Sequence, residues 1–584
     1  MTHTTEVARP TVRDQASKTR ILLVVFAATF LITSLLGIWP EIFAFSVQVG
    51  DSPIAKLLHS PMHAADDVMI SLRSGAMLRE IGLPAFNRHD LAQASTSYAS
   101  PYVFAMLLGV LPGNLAVGAY ALLGMLAVAL TLCTVVWFSK SPSNALLLAL
   151  GLLLTRTNLI YGFTGWDHLF QAFFLTLATC ISLRKSVGPA ALFTASLSLG
   201  LACIFRPDGV IIALAVLWAL FLRRGSMARS VILGLLPIAS ILAGMLWLNE
   251  VQFGTLTPTT ARLKLGAAPS AMYALRYFFE NAALSFTALA MLLAMIGLYG
   301  VFRDRWSHRM EAPIVGACVI TTAIAMVNSD VFWGARMVWA PACVMAALTA
   351  MSAPAWFDIE AWSKRIAHRL LDPLNAHVQQ RLPSFGGAVF RATGIMLLCL
   401  VLGGSLVSAL RVKWRQAVIS PQAVATSYTA QQYRLTQWIE THLQPSQGPI
   451  GMFYLGMSYH MPRFEAADFL GKADEMIATS PVKWGPPGHN KWDIERTLDK
   501  WHPQAIIPPE QSDPHMPALV NAAKQALSSR RDYGFAPALL LSEQVSREFA
   551  YCYLTVNQDA ASDQWGFFLR KDLVARHTDS LHCT

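Results

Sequence analysis

The chain has 584 residues, 54% of them hydrophobic and only 14% charged, with a mean hydropathy of +0.43. Soluble domains carry roughly a quarter charged residues, so this composition excludes an ordinary globular protein and indicates a polytopic membrane protein. The net charge of +10 does not indicate a nucleic-acid partner, because Lys and Arg fall in short clusters between apolar spans. That is the positive-inside pattern, which sets orientation.

Residues 1–20 are polar, end in Lys18-Thr19-Arg20 and read as a cytoplasmic tail. Residues 21–40 form the first span, too long and without the small-residue site of a cleavable signal peptide. Residues 41–100 form the first outside loop, with apolar residues at helical spacing (Val68, Leu72, Met77, Leu78). This spacing predicts a short amphipathic helix along the membrane surface. Residues 101–112 are too short to span, since about twenty residues are needed, and read as re-entrant or interfacial.

Spans follow at 115–138, 144–160, 169–183, 188–204, 210–222, 230–248, 282–302, 313–328, 337–352 and 389–410, eleven in all with the first. The clusters at Arg184-Lys185, Arg223-Arg224, Arg303–Arg309 and Lys364–Arg381 then all fall on the cytoplasmic side. Between two short apolar pieces lies Arg206-Pro207-Asp208-Gly209, where both charges sit below the outer surface. A lone charge at the bilayer centre costs roughly 2.5–3.5 kcal/mol, so such residues pair or face a cavity.

Residues 412–584 have ordinary polarity and suffice for one soluble domain on the outer face. Runs at Pro449–Tyr454 and Ala505–Ile507 read as strands, and periodic stretches at Ala425–Leu443 and Met516–Leu527 as helices, which predicts a small α/β domain. Six of the eight cysteines lie in apolar runs; Cys552 and Cys583 lie in this domain, where an oxidising compartment would let them pair.

The first outside loop carries Asp66-Asp67. Adjacent carboxylates near a bilayer raise each other's pKa, which makes a proton acceptor. The same pair also suits a helix N-terminus. On the same side fall Arg73, Asp167-His168, Arg206 and Asp208, Arg262 and Lys264 after Pro258, and Asp330 with Arg336. No Cys/His cluster has metal-ligand spacing and no Gly-rich loop follows a strand, although a divalent cation at the Asp pair is compatible with oxygen ligands.

The order and wording of these loops resemble the GT-C glycosyltransferases, most closely the bacterial arabinofuranosyltransferase-like branch. The matching elements are Asp66-Asp67-Val-Met-Ile-Ser-Leu-Arg73, Arg206-Pro-Asp208-Gly209, Gly254-Thr-Leu-Thr-Pro258-Thr259-Thr260 with Lys264, and Gly488-His489-Asn-Lys491-Trp492 after Asp468-Phe-Leu-Gly471. The chain departs from the branch in Arg73-Ser-Gly-Ala and in Thr259, where Asn is usual. The resemblance implies a GT-C membrane domain at 21–411, and a sugar, a pentofuranose such as arabinofuranose, moved from a polyprenyl-phosphate donor. The acceptor would be an extracytoplasmic glycan, glycolipid or protein, and the location a bacterial inner membrane.

In this chemistry Asp66 is the first choice and Asp67 the second for the base that takes the acceptor proton. Arg262, Lys264, Arg206 and Arg336 would hold the leaving phosphate, and each also suits an interfacial residue that snorkels to headgroups. Arg73, Asp167, His168, Asp208, Asp330, His489, Lys491 and Trp492 are the candidates for substrate contacts. Two rivals are a lipid-linked sugar transporter or flippase, and a non-catalytic cell-envelope assembly protein. No internal inverted repeat favours the first.

Overall fold

The computed structural model describes principally residues 22–31, 66–139, 165–222, 231–264, 311–327, 336–352, 428–483, 488–508, 535–554 and 566–583, Lys185 and Asp579 excepted. The spans expected at 282–302 and 389–410, the helix at Met516–Leu527 (Asn521 and Lys524 apart), and Asp330 lie outside these residues.

A helical domain and a sheet domain meet across the first loop. The helices are α1 (Asp66–Ile81), α2 (Ala99–Val110), α3 (Gly113–Phe138), α4 (Asp167–Ser182), α5 (Pro189–Phe205), α6 (Val210–Leu222), α7 (Leu236–Phe253), the short α8 (Thr259–Lys264), α9 (Glu311–Val327) and α10 (Trp339–Ser352). Among the described residues, Leu115–Phe138 and Ile232–Phe253 are long and apolar enough to cross a membrane alone. The expected short piece at 101–112 is the 12-residue α2. Large apolar side chains such as Met106, Trp137, Trp218 and Trp247 face outward, as they do on a surface that meets lipid.

Each helix end has a local cause. Gly254 takes a left-handed conformation (φ 66°) that closes α7. Pro207 forbids its predecessor the helical region, so Arg206 is extended (φ −150°, ψ 118°) and α5 stops there. A single 3-10 turn, Pro207–Gly209, then restarts the chain as α6. Gly165 sits at φ 70° just before α4, where an added Cβ would meet the Tyr120 ring at 2.7 Å. Opposite it, Gly124 of α3 lets the backbones touch: its Cβ would lie 2.6 Å from the Gly165 Cα.

The C-terminal domain is α/β, with one six-stranded mixed sheet. Its strands are β1 (Ile450–Met452), β2 (Ala466–Asp468), β3 (Ala505–Ile507), β4 (Phe549–Leu554), β5 (Gly566–Arg570) and β6 (Leu581–Cys583), in the order β2-β1-β3-β5-β4-β6. β1 runs parallel to β2 and β3; the remaining pairings are antiparallel. Cys552 and Cys583 are directly opposite in the β4–β6 pair and form a disulfide.

Alternation along the strands sorts the two faces. Ile450, Met452, Ala505, Ile507, Phe567 and Leu569 pack with Leu435, Trp438 and Ile439 of α11 (Tyr428–His442). Ile506, Tyr551 and Phe568 pack on the other face with Ile494 and Leu498 of α12 (Ile494–Trp501).

The first loop departs from expectation. Helix α1 is not an exposed amphipathic helix; it is buried on nearly every side. Val68, Met69 and Leu72 pack into the helical core, while Ile70, Phe86 and Ala94 belong to the core of the sheet domain. Asn87 pairs with the backbone of Ala466 in both directions (2.9 and 3.0 Å), and Glu465 accepts from the amides of Arg88 and His89. The folding unit of the sheet domain therefore includes part of the loop 41–100 in addition to residues C-terminal to 412.

Candidate active site

A cavity of about 250 Å³ opens where the N-termini of α1 and α4, the α5–α6 break, α8, α9 and the turn Arg336–Val338 meet two loops of the sheet domain. Of the expected residues, Asp67, Asp167, Arg206, Asp208, Lys264, Arg336 and His489 line it. Lys472, from the sheet domain, joins them. Four cations thus face three carboxylates across one space.

Asp67 is the best-held anion. Its Oδ2 lies 2.8 Å from Arg336 Nη2 and its Oδ1 3.4 Å from Lys472 Nζ. Burial alone would raise its pKa, but the charges of Arg336, Lys472 and Lys264 prevail and hold the carboxyl well below the ordinary carboxylate range. This reverses the raised pKa expected for the Asp pair. The side chain of Asp66, the first choice for the base, lies outside the described residues. Two cations already occupy Asp67, and with Asp66 outside the described side chains the donor set of the pair as a whole is not described.

Arg336 is 3% exposed, and its guanidinium stacks on the Trp166 ring 3.9 Å from the centroid. Arg206 pairs with Asp208 at 3.0 Å and donates to the Met337 sulfur at 2.9 Å. Gln171 of α4 donates to Asp208 at 2.7 Å and to the Arg206 carbonyl at 3.2 Å. Gly209 leaves room for this side chain, since a Cβ would sit 2.8 Å from the Gln171 amide nitrogen and push it aside. Asp167, one turn before Gln171, accepts from Ser100 Oγ at 2.7 Å.

Lys472 is delivered by a braced turn. Asp468 accepts from the amides of Leu470 (2.8 Å) and Ala473 (2.5 Å). Gly471 takes φ 75°, where a Cβ would meet the Ala478 nitrogen at 2.7 Å. Buried Asp474 accepts from Lys500 and from Trp501 Nε1, both at 2.9 Å. Burial raises the Asp468 pKa to about 6. Burial, then the neighbouring Lys472, pushes the His489 pKa down to about 3, so the ring is neutral.

Other expected residues are placed elsewhere. Arg73 is 1% exposed and donates to the carbonyls of Phe86 (2.9 Å), Ser458 (2.5 Å) and Phe464 (2.7 Å), which rivets α1 to the sheet domain. Arg262 is ion-paired with Glu475 instead of facing the cavity. Lys491 donates to the carbonyls of Ala478 (2.7 Å) and Arg262 (3.3 Å), and Trp492 carries the Lys483 ammonium 4.0 Å over its ring. His168 is buried edge-on against Trp166 and does not line the cavity. Arg73 and Lys491 reach backbone carbonyls and Arg262 a surface carboxylate, so their work is positional. Lys472, Trp166 and Ser100 were missed. The signal for Lys472 was its place directly after Gly471 in the Asp468-Phe-Leu-Gly element.

Apolar helices of uneven length, broken by charged turns that face one cavity, lie beneath an α/β domain, and this arrangement is found in solved structures. The chain follows the crystal structure of ArnT from Cupriavidus metallidurans in the apo state over 95% of its own length and 98% of that chain, with a TM-score of 0.50 and 14% identity. At that identity the likeness is one of fold. A structure of ArnT from the same organism bound to undecaprenyl phosphate matches over 78% of this chain and 86% of that one, at 13% identity and a TM-score of 0.45. No family model and no curated protein sequence matches the chain.

Proposed function

We propose that this chain is a membrane glycosyltransferase that moves a sugar from a polyprenyl-phosphate donor to an extracytoplasmic acceptor, with inversion. The observation that carries the reading is the convergence of Arg206, Lys264, Arg336 and Lys472 on one cavity that also holds carboxylates. The leaving group is a phosphodiester that becomes a monoester and gains charge. Cations fixed in advance stabilise that charge more in the transition state than in the ground state. A cavity carboxylate takes the acceptor's proton. The loop motifs favour a pentofuranose, such as arabinofuranose, as the sugar, and a glycan, glycolipid or protein as acceptor.

The site would face the periplasm of a bacterial inner membrane, with the N-terminus cytoplasmic. In support, Arg184 lies at the far end of α4 from Asp167, and the Cys552–Cys583 disulfide suits an oxidising compartment. The test is inhibition by undecaprenyl phosphate of sugar transfer from polyprenyl-linked sugars extracted from the host membrane. Lys264→Ala should raise the inhibition constant and cut turnover. Unchanged constants and turnover would return Lys264 to an interfacial anchor and remove the donor site.

A further inference from the structure

Among the described residues the cavity holds two carboxylates with opposite surroundings beside the Arg206–Asp208 pair. Asp67, in the loop where the sequence motif locates the base, is clamped by Arg336 and Lys472. A carboxylate held in two ion pairs is a weak proton acceptor. Asp167 has no ion pair among the described residues. Among the described residues its one side-chain hydrogen bond is to Oδ1, from Ser100 Oγ at 2.7 Å. An ionised carboxylate only accepts, so Ser100 donates to it, and Ser97 Oγ lies 2.8 Å from the same Ser100 hydroxyl. Among the described residues no donor reaches Asp167 Oδ2, on a side chain that lines the cavity. The first turn of α4 fixes its position, and that turn is seated by the Gly124–Gly165 contact.

We propose that Asp167 is the proton acceptor of the transfer and that Asp67 is a positioning residue which holds Arg336 and Lys472 in place for the donor phosphate. The proposal rests on the transferase reading above. In the step, the acceptor hydroxyl oxygen forms a bond to the anomeric carbon while its proton passes to Asp167 Oδ2. The bond from the anomeric carbon to the phosphate oxygen breaks, and its electron pair stays on the phosphate. Arg336, Lys472 and Lys264 meet the new charge. Asp167 later returns the proton to solvent. The charged and titratable groups that bear on Asp167 are Arg206 and Arg336, which favour its ionised form, Asp67, which opposes it, and the buried Tyr120 phenol of α3 beside Ser100.

Two measurements on the full-length protein in nanodiscs test this: binding of undecaprenyl phosphate, and the pH dependence of kcat for sugar transfer. Asp167→Asn should cut kcat by roughly 10²–10⁴-fold, the usual worth of a general base. It should also abolish the acid limb of the profile and leave undecaprenyl phosphate binding within about twofold. Asp67→Asn should keep the acid limb and change undecaprenyl phosphate binding. Ser100→Ala removes a donor to the ionised form and should move the acid limb to higher pH, which keeps the idea testable if Asp167→Asn fails to fold. An acid limb that survives in Asp167→Asn but vanishes in Asp67→Asn, or one that Ser100→Ala leaves in place, would overturn the assignment. A wild-type protein that neither binds undecaprenyl phosphate nor transfers sugar would instead sink the transferase reading.

Discussion

Lys472→Met removes the one cavity charge that the sheet domain supplies and keeps most of its stem. At 3.4 Å from Asp67, a unit ion pair is worth about 5 kcal/mol gross at an effective dielectric of about 20. Donor binding exchanges one anion for another at this ammonium, so only the difference counts. That difference is the worth of a charge-assisted hydrogen bond, about 1.5–3 kcal/mol, or roughly 10–150-fold in affinity. The assay is equilibrium binding of tritiated undecaprenyl phosphate to the protein in nanodiscs, with the unphosphorylated polyprenol as control. Lys472→Met should weaken the phosphate by that factor and leave the alcohol unchanged. A loss under about twofold, or an equal loss for both lipids, would refute the idea that Lys472 reads phosphate.

Four further outcomes are expected. Asp67→Asn removes the carboxylate that two buried cations share and should lower stability at neutral pH by roughly 3–5 kcal/mol. The folded carboxyl titrates below its ordinary value of 3.8, so its contribution is complete above that pH; in thermal melts the gap to wild type should close as pH falls below about 4. Arg73→Met strips three carbonyls of a cationic donor and should cost roughly 3–5 kcal/mol; a variant of normal stability with a raised KM would restore Arg73 to the substrate. Gly165→Ala meets both a left-handed backbone and the Tyr120 ring, and should cost roughly 1–3 kcal/mol and slow turnover by displacing Asp167, read by melting and kcat. Reduction of Cys552–Cys583 should lower the melting temperature of the C-terminal domain, by about 2–4 kcal/mol in stability terms.

Patterns local in sequence were legible. The pattern of apolar residues foretold β1, β3 and α11, the length of the run marked off α2 as a short piece, and Pro207 foretold the α5–α6 break, because each depends on neighbours a few positions away. Arg206 and Arg336 were legible as cavity cations because each interrupts or abuts an apolar run, where a charge must find company, and Lys264 because it follows Pro258 in an outside-loop motif. The reach of a long side chain was not. Arg73 and Arg262 sit in the same kinds of loop as the cavity cations, yet they turn to the carbonyls of residues 458–464 and to Glu475, hundreds of positions along. Lys472 fails for the converse reason: only the docking of the sheet domain brings it to Asp67. The same pairing inverted the argument about the Asp pair, since nearby cations outweigh a neighbouring carboxylate and burial.

The joint between Asn87 and Ala466 spans 379 positions of chain. Synthesis at about 5–20 residues per second separates the emergence of the two by roughly 20–80 s. Through that interval α1, with Val68 and Ile70 on opposite faces, has only its helical-domain side covered. Arg73 has none of its partner carbonyls from residues 458–464. The cavity meanwhile holds Arg336 against Asp67 but lacks Lys472. The cavity of the nascent chain therefore lacks its fourth cation until the last third folds down, and a chain truncated before Lys472 would insert without completing the proposed donor site.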